Sequence, residues 1–185
     1  MAVTFDKAGA ENTDRALEIA FRAAAEVPVR HVVVASTYGD TARKALQLAR
    51  KYAVQLVIVT HNTGFKQAGE QQFNPELREH LLSSGVPVVT ASMPFRGLNR
   101  AIRDRFGYSD IDLVAAALRI LGEGMKVCAE IACIACDAGV VPPEDIVCVA
   151  GTGRGADTVA IIAAQPSNRF FDLKIREILA KPRDF

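Results

Sequence analysis

Six consecutive residues, Ser36-Thr37-Tyr38-Gly39-Asp40-Thr41, place four hydroxyls, a glycine and a carboxylate between an apolar run and a helical pattern. Hydroxyls and unpaired backbone N–H groups at the start of a helix can donate to an oxyanion, and the helix dipole adds positive potential. The same residue types also cap helices, so Asp40 or Thr41 closing the first turn is the competing reading. A second candidate, Gly151-Thr152-Gly153-Arg154-Gly155, follows another apolar run. Alternate glycines after a strand look like a dinucleotide fingerprint, but that fingerprint opens a helix and this segment runs into β-type sequence; it also lacks the Walker lysine. What it offers is a hairpin-like loop whose amides and Arg154 guanidinium can meet an anion, or else a plain glycine-rich turn.

Other groups are weaker candidates for chemistry. His61 stands directly after a strand end, a common place for a catalytic or ligand-facing group and also for an ordinary loop histidine. Cys133 and Cys136 have the spacing of a redox or half-metal motif. They lie in an apolar helical segment with no second ligand pair, and read as small core residues with no metal site. In that segment Lys126 precedes Glu130 by four positions and can pair with it, while Glu130 and Asp137 share a face. The favoured reading of these charges is a narrow solvated stripe, because carboxylates are seldom fully buried; an acid or base facing a ligand is the alternative.

The elements that must carry these residues alternate between strands and helices, the pattern of an α/β domain with a mostly parallel sheet. Val32-Val33-Val34-Ala35 is a continuous apolar run, as in strands covered on both faces, and Gln55-Leu56-Val57-Ile58-Val59-Thr60 is another buried strand. Val86 to Val89 and Asp145 to Ala150 are further strands, and Val159 to Ala163 another. Asn12 caps a first helix whose buried stripe is Leu17, Ala20, Phe21 and Ala24; it leads through Pro28 to the opening strand. Ala42, Ala45, Leu46 and Ala49 give a second helix, and Asn74, Pro75 and Gly85 bracket a third. Ser109 with Asp112 looks like a capping box ahead of a helix that buries Ile111, Val114, Ala115, Leu118 and Leu121. Residues 125–139 are apolar nearly all round, as in a central buried helix.

With 185 residues, half of them hydrophobic, the chain fits one domain, and 22 basic against 21 acidic residues leave no basic block for nucleic acid or an anionic membrane. No apolar run approaches the roughly 18 residues of a membrane span and no secretory leader is recognisable, so the expectation is a cytoplasmic protein.

Several of these pieces together resemble a known family. GAENTDR at 9–15, the turn at 36–41, THNTGF at 60–65, KVCAEI at 126–131 and RGADT at 154–158 are similar to recurring features of stand-alone archaeal and bacterial proteins built like the C-terminal α/β domain of pyruvate kinase. The resemblance implies a three-layer α/β/α sandwich around a mostly parallel five-stranded mixed sheet with one antiparallel edge strand. It also implies a crevice at the carboxyl ends of the strands that takes a phosphorylated small molecule, with flavin mononucleotide (FMN) as the cofactor to test. The binding residues it implies are Ser36, Thr37, Tyr38, Gly39, Asp40 and Thr41 on the turn, His61, Thr63, Gly64 and Phe65 after the second strand, and Gly153, Arg154 and Gly155 on the glycine-rich loop. Asp40 departs from the basic residue that pyruvate kinases tend to place after the turn glycine. A homo-oligomer is expected, and pyruvate kinase activity is not, since that chemistry occupies a separate barrel of about 250 residues. The alternatives are an enzyme using His61 or Glu130 in the same crevice, or an oligomeric regulatory subunit.

Overall fold

A computed structural model describes residues 2–153 and 155–185. Seven strands form one sheet in the order β1-β7-β6-β5-β2-β3-β4. They are β1 (Val3–Lys7), β2 (His31–Ala35), β3 (Gln55–Val59), β4 (Val88–Val89), β5 (Asp145–Ala150), β6 (Thr158–Ala163) and β7 (Lys174–Asp184). The central strands β2, β3 and β5 run parallel, while β6 is antiparallel to both its neighbours, β5 and β7. The sheet therefore has two strands more than expected, and its antiparallel strand lies inside the sheet, not at an edge. The extra strands sit together at one edge, where β1 pairs parallel with β7. Neither carries a continuous apolar run: in β1 only Phe5 is buried, and β7 interleaves Lys, Arg and Glu with its apolar residues. The opening strand is thus β1, ahead of the helix that leads to β2.

Alternation along the covered strands divides the core into two layers. Val32 and Val34 of β2 and Val147 and Val149 of β5 face α1 (Thr13–Glu26), α2 (Asp40–Tyr52) and α3 (Pro75–Ser83). Val33, Val57 and Cys148 face the opposite way, against α6 (Glu123–Asp137). This explains the unbroken valine run: both faces of the strand are apolar because both are covered. The stripe Leu17, Ala20, Phe21 and Ala24 of α1 is buried, and Asn74 caps α3 by accepting from the Leu77 N–H at 2.8 Å.

The middle helices differ from their sequence pattern. In α5 (Asp110–Arg119) only Ala115 is buried and Ile111 is exposed, because the helix touches α6 along one narrow line. The Ser109 side chain makes no cap bond; the Asp112 carboxylate turns instead to Asn99 and Arg103 of α4 (Gly97–Phe106). No helix among the described residues is long and apolar enough to cross a membrane.

Candidate functional site

The turn 36–41 joins the carboxyl end of β2 to α2, and its geometry decides between the two capping candidates. Neither Asp40 nor Thr41 caps the helix. The buried Ser36 hydroxyl accepts from the Ala42 N–H at 3.3 Å, and Gly39 occupies the position before the helix with φ +115°. A Cβ on Gly39 would stand 2.5 Å from Leu77 Cδ2, so this glycine admits α3 to the back of the turn and does not face the crevice. Ser36, Thr37, Tyr38, Asp40 and Thr41 line a crevice of about 480 Å³ over the strand ends. Asp40 is exposed at that wall, so its charge opposes an anion there.

The opposite wall comes from the β5–β6 loop, of which Gly151, Gly153 and Gly155 line the crevice; Arg154 lies outside the described residues. This loop is held from an unexpected direction. Asp157 is fully buried and accepts from the Gly9 N–H and the Thr152 N–H, each at 3.2 Å, and from the Thr158 hydroxyl at 2.8 Å. Thr13 donates to the Ala10 carbonyl at 2.6 Å and accepts from the Ala156 N–H at 3.0 Å. A Cβ on Gly155 would fall 2.6 Å from Ala10 Cα, and one on Gly124 would strike the Thr158 side chain. The stretches at 9–13 and 155–158 are therefore two halves of one clasp that fixes the loop against the start of α1.

The floor and far side belong to residues after β3 and on α6. His61, Phe65, Lys66 and Gln72 line the crevice with Glu123 and Val127, whereas Thr63 and Gly64 do not. Phe65 stacks on His61 with ring centroids 3.8 Å apart, and Lys66 Nζ donates to the Tyr38 hydroxyl at 2.6 Å, bridging the long connection to the turn. Sequence reasoning missed Lys66, Gln72, Glu123 and Val127. Lys66 adjoins the motif at 60–65 and its cation was a usable signal; the α6 residues reach the site only through tertiary packing.

The solvated stripe expected on α6 is not there. Lys126 is 4% exposed and Glu130 0%, with Nζ donating to Oε2 at 2.6 Å, and Glu130 Oε1 accepts from the Phe95 N–H at 2.9 Å. Burial is tolerated because both ends of the carboxylate are occupied. Cys133 is buried and its thiol is pushed up to about 12, chiefly by burial; Cys136 is half-buried and pushed up to about 11 by the same cause. Neither is poised as a thiolate.

Burial holds the His61 imidazolium below its ordinary value of 6.5; Arg96, Lys126 and Lys66 push the same way, and Gln72 opposes them. The native state then binds this proton less readily than the unfolded chain. Its contribution to stability is complete above about pH 6.5 and is lost as the pH falls toward the folded value. The melting temperature of the parent should accordingly drop on acidification more steeply than that of His61→Asn. Parallel profiles for the two proteins would refute this assignment.

The family described as "Pyruvate kinase, alpha/beta domain" matches residues 14–162. Among solved structures, a pyruvate kinase from Cryptosporidium parvum aligns at 13% identity over 80% of this chain and 22% of its own, with a TM-score of 0.38. A structure of Cryptosporidium parvum pyruvate kinase in complex with ADP aligns at 15% identity over the same shares, with a TM-score of 0.40. The chain spans about a fifth of the length of these enzymes. The family match covers most of the chain, including the turn, the Asp157 side of the clasp and the buried pair on α6, and the chain belongs to the pyruvate kinase α/β domain family.

Proposed function

We propose that the crevice binds a phosphorylated small molecule, with FMN as the candidate cofactor. The observation that carries the reading is the facing of two loops across one space: the hydroxyl-rich turn at the head of α2 and the clasped glycine-rich loop after β5. Ligands of open α/β sheets bind at the carboxyl ends of the strands, and a helix start with nearby hydroxyls favours an anion. A cavity of about 480 Å³ falls in the usual small-molecule range of roughly 300–1,000 Å³. Lys66 supplies a cation to the same wall, and the stacked His61 and Phe65 rings offer a flat apolar surface for an aromatic group.

The test is a double difference. Thr41 is buried at the crevice wall, so Thr41→Val keeps its shape and removes one hydroxyl. A hydrogen bond to a charged acceptor is worth about 1.5–3 kcal/mol, so the variant should bind FMN roughly ten- to a hundredfold more weakly, with riboflavin binding nearly unchanged. Calorimetric titration of both ligands against both proteins reads this directly. Equal losses for the two ligands, or none, would show that the turn does not recognise phosphate.

An enzyme using the same crevice is the second reading, and one observation favours His61 over Glu130 as its acid or base. Both Glu130 oxygens are taken, by Lys126 and by the Phe95 N–H, whereas His61 Nδ1 has no hydrogen-bond partner among the described residues.

A further inference from the structure

Beyond the crevice, across the wall formed by His61, Phe65, Glu123 and Val127, lies a smaller pocket of about 140 Å³. Its lining includes five cations, Arg96, Arg100, Arg103, Arg119 and Lys126, against two carboxylates, Asp112 and Glu123. Arg96, Arg100 and Arg103 fall at i, i+4 and i+7 along one helix face, where like charges repel. Most of these cations are matched: Arg103 to Asp112 at 3.2 Å, Arg100 to Asp104 at 3.3 Å, Arg119 to Glu123, and Lys126 to Glu130. Arg96 is the exception. It is half-buried, forms no ion pair among the described residues, and rests its guanidinium 4.1 Å from the centre of the Phe65 ring.

The cluster is built into the fold. Glu130 fixes the Phe95 N–H, the buried Asn99 amide bridges the Phe95 carbonyl and Asp112, and Arg103 closes on the same carboxylate. These bonds tie α4 and α5 to the buried Lys126–Glu130 pair and aim the arginine face at one spot. Burial, then Arg100 and Arg103, holds the Arg96 guanidinium below its ordinary value, and a bound anion would offset this by favouring the charged form. Guanidinium groups suit carboxylate and phosphate because their donors are planar and paired.

We infer that the pocket lined by Arg96, Arg100, Arg103 and Lys126 is a second anion site, taking a carboxylate or phosphate next to the ligand of the main crevice. This deepens the reading of the crevice and rests on it only for the identity of that neighbour. A molecule spanning both spaces would carry two anionic groups, with a flat segment between them at Phe65 and His61.

The arginine side-chain N–H resonances of the full-length protein, followed by NMR, test the site by its own residues. The probes are inorganic phosphate and oxalate, with sodium chloride at equal ionic strength as the control. Saturable shifts at Arg96, Arg100 and Arg103 are expected for at least one probe, and the tighter of the two assigns the anion as phosphate or carboxylate. Arg96→Met should weaken that response roughly tenfold or more, and Arg96→Lys by less, because the charge stays and the paired geometry goes. Backbone amide spectra establish that both variants are folded. Thr41→Val should leave the arginine response intact, so loss of FMN recognition in that variant would bear on the main crevice alone. Shifts that merely follow chloride, or an affinity unchanged in Arg96→Met, would overturn the second site.

Discussion

Lys126→Met should cost about 3–5 kcal/mol of stability, the usual loss when one member of a buried ion pair is removed and the other is left charged in an apolar interior. Methionine nearly matches the lysine stem in length, so little of the loss is a packing defect. The stranded group is Glu130, fully buried away from solvent. Adding Glu130→Gln should restore much of the loss, because the amide oxygen can still accept from the Phe95 N–H while the unpaired charge is gone. Chemical denaturation of the parent, the single variant and the double variant measures the coupling. A double variant as unstable as Lys126→Met would mean that lost packing, not a stranded carboxylate, is the cause.

Asp157→Ala should have an effect of similar size by a different route. It leaves the Gly9 and Thr152 N–H groups and the Thr158 hydroxyl without their acceptor, and each hydrogen bond to a charged group is worth about 1.5–3 kcal/mol. Relaxation and water entry recover part of this, so a net loss of roughly 3–5 kcal/mol is expected. Asp157→Asn should cost less, since one carbonyl oxygen remains. Hydrogen exchange would locate the damage: amides near 9–13 and 151–158 should lose protection before those of β2 and β3. Uniform loss across the sheet would show that Asp157 supports the whole fold and not the clasp.

Much of the frame can be read from residue order alone. The runs at 32–35 and 56–59 are unmistakable because α1, α2 and α6 cover both sheet faces, so nothing polar interrupts them. Asn74 with Pro75 fixes the start of α3 by local chemistry that needs no tertiary context. The edge strand β1 and its neighbour β7 are obscure for the converse reason, since both are largely exposed to solvent and carry charges that blur the period of two. At the site, the turn and the glycine-rich loop announce themselves by composition. The spacing of Lys126 and Glu130 shows that they can pair, but which way that pair faces is set by Phe95 and α4, arriving from elsewhere in the chain. The arginine face of α4 is visible as spacing too, and acquires meaning only beside Phe65 and Lys126.

The pairing of β1 with β7 has a kinetic consequence. Val3 lies opposite Ala180, and Gly9 meets Asp157 across a separation of 148 residues, so β1 and Gly9 wait for partners that are made much later. Closing such long loops is slow relative to forming the local β2-α2-β3 unit. The nascent chain therefore carries a waiting strand, and the charges of Asp6 and Lys7 disfavour its pairing with a neighbouring chain in the interval. Because Gly9 also belongs to the clasp, the crevice is completed in the same late step. A molecule that fits the crevice would then act on this late step, drawing the distant segments together by mass action.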